Sequence, residues 1–126
     1  MLEPCPCGSS LLVTQCCQRY HDGQAIAPTA EALMRSRYSA YVLEKSAYLK
    51  ATWHPDTLPP AFLLDEHSKT KWLGLIIERY ESNDADHAIV EFVARYKVNG
   101  RAYRLHEVSR FVREHGRWYY LDGEIG

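Results

Sequence analysis

The sequence has 126 residues, 46% of them hydrophobic, which is enough apolar side chain to fill the core of one domain. Its 15 basic and 16 acidic residues leave a formal net charge of −1, so no overall positive field attracts nucleic acid. No apolar run approaches the roughly 18 residues of a membrane-spanning helix. We therefore expect a protein without a membrane segment and without a nucleic-acid partner.

The four cysteines of the chain all lie near its amino-terminal end, at Cys5, Cys7, Cys16 and Cys17. Four thiolates are a preferred ligand set of Zn²⁺, which they surround as a tetrahedron and leave without an open position for catalysis. Pro6 stiffens the turn between the first two cysteines, and Gly8 allows the backbone to turn sharply after them. We predict a structural zinc site that uses all four cysteines.

Two disulfides or four free thiols are the alternatives to this zinc site. Disulfides need an oxidising compartment, but residues 1–4 lack the basic and apolar regions of a secretory signal, and we expect a cytoplasmic protein. A redox pair is disfavoured because the chain has no Cys-x-x-Cys spacing. His21 lies nearby, but we expect no metal ligation from it because four thiols already complete the shell.

The spacing Cys5-x-Cys7-x8-Cys16-Cys17 resembles the SEC-C motif, a zinc-binding module found in the tail of the SecA translocation motor. This resemblance implies that the four cysteines are the ligands and that the module docks on a protein partner. Lysines between the cysteine pairs assist that docking in SecA-type tails, whereas residues 8–15 contain none here. The apolar run Leu11-Leu12-Val13 predicts instead that the module packs against the rest of its own chain.

Helical signals follow the cysteine segment. Thr29 can cap a helix, and Glu31 would lie in the first turn, where a carboxylate is favoured. Apolar residues at helical spacing extend that helix to about residue 43. Two shorter helices are predicted at residues 47–53 and 61–67, each bounded by a proline.

The second half of the sequence is typical of strands, because β-branched and aromatic residues dominate and turn residues interrupt them. The predicted strands are Trp72–Tyr80, Ala88–Val98, Tyr103–Arg113 and Trp118–Leu121. Asn99-Gly100 is a strong hairpin signal between the second and third of them. Helices first and then an antiparallel meander predict an α+β fold with the helices on one face of the sheet.

Several separate blocks of the sequence resemble the YchJ-like family of small bacterial proteins. These blocks are Leu33–Tyr41, Thr52–Pro55, Trp72–Leu75, Glu91–Tyr96, Ser109–Phe111 and Trp118–Gly123. The resemblance implies a nuclear-transport-factor-2-like (NTF2-like, or cystatin-like) cone, in which a curved sheet wraps round helices and encloses a cavity. We expect the SEC-C module at residues 1–23 and the cone at residues 24–126. Cones of this type often form homodimers through their sheets.

Three residues are candidates for chemistry in the cone. Alternation along the third predicted strand puts Glu107 on one face with Ser109 and Phe111, and we expect that face to point inward. Asp122 is a second candidate carboxylate, and His54 is a candidate acid or base at a helix end. An isomerase or dehydratase would use such a carboxylate as its base, opposite a hydrogen-bond donor in a dry pocket.

Each candidate also has a purely structural interpretation. Glu107 could pair across the sheet with Arg95 or Arg110, Asp122 could occupy a turn, and His54 could satisfy the last carbonyls of its helix. The sequence contains no phosphate-binding loop and no His-Glu-x-x-His motif. We therefore predict a zinc-containing binding or adaptor protein whose cone accepts a protein or small-molecule partner. A small-molecule isomerase or dehydratase is the alternative.

Overall fold

A computed structural model describes residues 3–59 and 70–125 of the chain, so the helix predicted at residues 61–67 lies outside the described part. The described elements are a 3-10 turn (Val13–Gln15), three helices, α1 (Cys17–His21), α2 (Ala30–Val42) and α3 (Ser46–Ala51), and four strands, β1 (Thr70–Asp84), β2 (His87–Val98), β3 (Arg101–Glu114) and β4 (Arg117–Ile125). None of these helices is long and apolar enough to cross a membrane.

The strands form one antiparallel meander in the order β1-β2-β3-β4. Asn99 and Gly100 both have positive φ angles (52° and 81°), as the predicted hairpin requires. Register shifts interrupt β1 at three places and the β3–β4 pairing after Arg110. Because an extra residue on one strand bends it and increases its twist, these shifts curve the sheet.

Helix α2 lies against the inner face of the sheet and closes the core. The Thr29 hydroxyl accepts a hydrogen bond from the Ala32 amide at 3.1 Å, which confirms Thr29 as the cap. The fully or nearly buried core side chains come from α2, the segment before it and the inward positions of β2, β3 and β4: Ala27, Ala30, Leu33, Met34, Tyr38, Ala88, Val90, Phe92, Ala94, Phe111 and Trp118.

Several predicted element boundaries differ from the structure; β1, for example, runs from Thr70 to Asp84 and not from Trp72 to Tyr80. Helix α3 ends at Ala51, because the residues after it run beside β4: the Tyr120 amide donates to the Thr52 carbonyl, and the His54 amide donates to the Tyr120 carbonyl, both at 2.8 Å. Strand β4 continues to Ile125, beyond the predicted end at Leu121, because residues 122–125 pair with β3. Asp122 is consequently a strand residue and not the turn residue that its sequence context suggests.

Candidate metal centre and cone cavity

The cysteine segment folds as a small loop followed by a helix start. The Cys5 amide donates to the Leu11 carbonyl at 2.8 Å, and the Gly8 amide donates to the Cys5 carbonyl at 3.2 Å, which closes a tight turn around Cys7. Gly8 has a φ of +82°, a left-handed conformation that favours glycine. The second pair of cysteines lies where α1 begins. The turn and the helix start thus bring the two pairs face to face.

All four sulfur atoms are buried and lie within 4.8 Å of one another. The Cys7 and Cys16 Sγ atoms are 3.7 Å apart, and those of Cys16 and Cys17 are 3.9 Å apart. Four thiolates at about 2.3 Å from a tetrahedral ion would be separated by about 3.8 Å. A disulfide would instead need about 2.05 Å. The cluster therefore has the dimensions of a tetrahedral metal site, and its cysteines are free thiols.

The thiols also compete for ionisation. Hydrogen bonds from Cys17 and Cys7 lower the pKa of Cys5, whereas hydrogen bonding to Cys5 raises the pKa of Cys17 and burial raises the pKa of Cys16. One thiolate is thus favoured at the expense of its neighbours. A bound divalent cation would remove this conflict, because its charge would allow every ligand to be a thiolate at once.

Polar contacts surround the sulfur cluster and fix it to α2. The Ser9 hydroxyl lies 3.2 Å from Cys16 Sγ, and the buried Ser39 hydroxyl of α2 lies 3.5 Å from Cys5 Sγ. Arg35, also on α2, donates from Nη1 to the Cys7 carbonyl at 2.8 Å. Such outer contacts orient metal ligands and tune their basicity.

The module is held to the rest of the chain by these polar contacts and by Tyr20 of α1, which packs against the main hydrophobic core. The prediction that its apolar run makes this contact is wrong for Leu11 and Val13. Leu11 is 49% exposed, while Val13 packs on the cysteines themselves. The His21 ring completes the docking, because Nε2 donates to the Ser36 carbonyl at 2.8 Å. Burial lowers the pKa of His21, which favours its neutral form. His21 thus holds α1 on α2 and lies outside the group of thiols that can share an ion.

A second site lies between α2 and the inner face of the sheet, a cavity of about 260 Å³ that we call the cone cavity. Its lining is mainly aromatic and aliphatic: Met34, Arg37, Tyr38, Tyr41, Trp53, Trp72, Phe92, Ala94, Leu105, Glu107, Ser109 and Tyr120. Glu107 faces inward as predicted. Its Oε2 accepts hydrogen bonds from Ser109 Oγ at 2.5 Å and from the Tyr120 hydroxyl at 3.2 Å. Burial and the charge of Glu107 raise the pKa of Tyr120, which keeps the hydroxyl protonated as a donor.

The other two candidate residues do not line the cone cavity. Asp122 lies across from Arg110 in the β3–β4 register, and both of its carboxylate oxygens accept from the Arg110 guanidinium. Arg110, one of the two arginines expected to pair with Glu107, is therefore bonded to Asp122 instead. His54 is buried elsewhere: Nε2 donates to Glu114 Oε2 at 3.0 Å, and Nδ1 accepts from the Asp56 amide at 3.1 Å. Of the three candidates, only Glu107 faces the cone cavity.

Arg37 is a cavity residue whose role the sequence analysis did not identify. It is only 3% exposed, and its Nη1 donates to the Leu49 carbonyl at 2.8 Å and to Thr52 Oγ1 at 2.7 Å. Its position four residues after Leu33 places it on the apolar face of α2, since residues four apart share a helix face. That spacing was the available sequence signal for a buried arginine.

Comparisons with known proteins agree with both parts of this structure. A sequence profile described as "YchJ, middle NTF2-like domain" matches residues 29–123. A UPF0225 protein from Cupriavidus metallidurans is 57% identical over 128 aligned residues, which cover 97% of this chain and 89% of the relative. The solution structure of a SEC-C motif containing protein from Rhodopseudomonas palustris has a TM-score of 0.86 and 33% identity, covering 97% of this chain and 98% of that one. A crystal structure of a SEC-C motif containing protein from Psychrobacter arcticus has a TM-score of 0.82 and 35% identity, covering 98% and 83%.

Proposed function

Since the chain belongs to the YchJ family, with an NTF2-like domain and a cysteine cluster that suits a metal ion, we propose that it is a zinc-containing binding protein. In this proposal the zinc is structural and holds the amino-terminal module together. The cone cavity is the binding site, and its occupant is a small molecule. Docking of a protein partner on the module is an additional role, which the resemblance to SEC-C tails suggests.

The single observation that carries the zinc assignment is the spacing of the four buried sulfurs, which all lie within 4.8 Å of one another, with 3.7 Å between Cys7 and Cys16 and 3.9 Å between Cys16 and Cys17. Soft thiolates in a tetrahedron select zinc or an iron–sulfur centre among biological metals, and a single ion of this size fits the cluster. Four protein ligands leave no position for water, so the ion would stabilise structure and not catalyse a reaction. Reduced thiols are maintained in a reducing compartment, which fits the cytoplasm.

The cone cavity supports ligand binding because it has the composition of a small-molecule site. Its wall is largely apolar and aromatic, and it contains a few polar groups at fixed positions, chiefly Arg37 and Glu107. Concave apolar sites with a small number of convergent polar groups are the usual form of ligand pockets. Ligand binding in the cone cavity does not depend on the metal ion.

The isomerase or dehydratase alternative is less well supported by the same cavity. Such an enzyme needs a carboxylate base and a separate donor that faces it across the substrate. Here the hydroxyls of Ser109 and Tyr120 both donate to Glu107 itself. The donors and the carboxylate are therefore already engaged with each other, an arrangement that favours holding a ligand over proton transfer.

Metal analysis and native mass spectrometry of the purified full-length chain test the proposal. We expect one zinc per chain, lost with Cys7→Ser and retained with Gln15→Ser, an exposed neighbour that serves as the matched control. We also expect a retained small molecule that is released when the chain is unfolded. A fully folded, metal-free chain with its cysteines cross-linked would refute the zinc assignment. A cavity that retains no compound and binds none in a fragment screen would refute the binding function.

A further inference from the structure

Arg37 is a buried cation without a carboxylate partner in the described part of the chain. Both of its hydrogen bonds come from Nη1, so Nε and Nη2 have no acceptor among the described residues. Burial lowers the pKa of Arg37, which reflects the cost of keeping its charge away from water. Arginine is rarely buried to this degree without an anionic partner. The site therefore lacks a negatively charged group that would compensate the charge of the Arg37 guanidinium.

Two aromatic rings hold the Arg37 guanidinium in place. Its central carbon lies 4.8 Å from the centroid of Tyr120 and 5.4 Å from that of Trp53. With Nη1 fixed by Leu49 and Thr52, the guanidinium has little freedom to turn. Nε and Nη2 form one edge of a planar fork, which matches the two oxygens of a carboxylate. Because Arg37 lines the cone cavity, a molecule bound there can approach its guanidinium.

Glu107 provides the second polar group of the same cavity. Both hydrogen bonds that it receives end at Oε2, so Oε1 has no donor among the described residues. Tyr120 connects the two charged groups, because its ring lies under the Arg37 guanidinium and its hydroxyl donates to Glu107. Arg37 and Glu107 thus both contact Tyr120 and line the same cavity, and no ion pair joins them among the described residues. A ligand that contacts both needs an anionic end for Arg37 and a donor end for Glu107.

The aromatic lining of the cone cavity favours a ligand with a flat apolar ring. Trp72 makes ring contacts with Tyr38 and Tyr41, at centroid distances of 5.7 and 5.9 Å, and Phe92 lies in the same lining. Aromatic side chains favour stacked or edge-to-face contact with another ring. A volume of about 260 Å³ corresponds to roughly nine waters, or on the order of ten non-hydrogen atoms of ligand.

We propose that the cone cavity binds a small aromatic carboxylic acid with a hydroxyl at the far end of its ring. The carboxylate pairs with Nε and Nη2 of Arg37, the ring packs beside Trp72, and the hydroxyl donates to Glu107 Oε1. This assignment rests on the proposed binding function and adds the chemical class of its ligand. It involves no covalent step.

The test compares two probes on the unmodified zinc-loaded chain. The probes are 4-hydroxyphenylacetate and its neutral amide, 4-hydroxyphenylacetamide, which have the same shape and differ in charge. Because a charge-assisted fork is lost in the amide, we expect the acid to bind at least about tenfold more tightly by calorimetry. The indole N–H signal of Trp72 should shift in the NMR spectrum on binding. That of Trp118, which is outside the cone cavity, should not.

Two substitutions assign the ends of the ligand. Glu107→Gln should abolish the preference for 4-hydroxyphenylacetate over phenylacetate, while the preference of acid over amide remains. Arg37→Gln should abolish the preference of acid over amide. Since Arg37 also joins α2 to Thr52, this variant must first show the native NMR spectrum and one bound zinc. If it does not fold, the comparison of acid and amide on the unmodified chain decides the question.

Two results would overturn the assignment without affecting the proposed function. Equal affinity of the acid and the amide would show that Arg37 does not bind the ligand carboxylate, although the cavity would still be a binding site. A Trp72 signal that moves with neither probe would show that the cavity does not accept aromatic acids of this class. The binding function itself is decided separately, by the retained compound and the fragment screen.

Discussion

Gly123 provides the most direct test of the Glu107 geometry. A Cβ added at this position would lie 2.8 Å from Glu107 Cδ, 3.0 Å from Cγ and closer still to Oε2. Real Cβ atoms do not approach side chains so closely, and three successive atoms of Glu107 are involved. In Gly123→Ala the Glu107 side chain must therefore leave its position and give up its hydrogen bonds from Ser109 and Tyr120.

The expected cost follows from these two hydrogen bonds. Bonds to a charged group contribute about 1.5–3 kcal/mol each, part of which is recovered when the carboxylate reaches water. Replacing glycine by alanine at an unstrained position returns about 0.4–1 kcal/mol. We expect Gly123→Ala to lower the free energy of unfolding by about 2–4 kcal/mol, measured by urea denaturation followed by tryptophan fluorescence.

Gly74→Ala is the matched control for this prediction. Gly74 is also a strand residue, and an added Cβ there would meet nothing within 4 Å. Its free energy of unfolding should stay within about 1 kcal/mol of the original. Equal losses in the two variants, or no loss in Gly123→Ala, would show that the carboxylate of Glu107 does not occupy the position described.

The remaining predictions concern the module and the helix pair. Arg35→Gln removes the donor to the Cys7 carbonyl, so zinc transfer to a colorimetric chelator should be about tenfold faster at unchanged zinc content. Arg79→Gln, which breaks an exposed ion pair on the sheet, should leave that rate unchanged. Burial raises the pKa of Tyr48 to about 12, so its contribution to stability is complete below pH 10 and is lost as the pH rises through 12. Between pH 9 and 12 the free energy of unfolding should fall by up to about 3 kcal/mol more than in Tyr48→Phe, and parallel losses would contradict the shift.

Local signals were sufficient for much of the fold. The Thr29 cap and the apolar spacing after it predict α2 almost to the residue, because these interactions lie within one helix. The Asn99-Gly100 turn predicts the β2–β3 hairpin, because its positive φ angles match the twist of paired strands. The cysteine spacing predicts the thiol cluster for a similar reason, since all its members lie within one short segment.

The features that the sequence did not predict depend on contacts between residues far apart in the chain. Strand β4 extends past Leu121 because β3 provides partners as far as Glu107, information that no local window contains. The same pairing places Asp122 beside Arg110 and leaves Glu107 to Ser109 and Tyr120. The burial of Arg37 was not predicted, because a charged residue usually indicates a solvated helix face. Only its spacing from Leu33 indicated that it lies on the buried face.

Helix α2 contributes side chains to both candidate sites. On one side, Arg35 and Ser39 contact the cysteine module, in which the cysteines are the only buried residues among the described positions 3–23. A segment with so small a core has little apolar burial to stabilise it, so a metal ion held by its cysteines would contribute most of its stability. On the other side, Arg37 enters the cone cavity. The arginines two positions apart on one helix thus belong to different sites, one fixed by a backbone carbonyl and the other left with an open edge for a ligand.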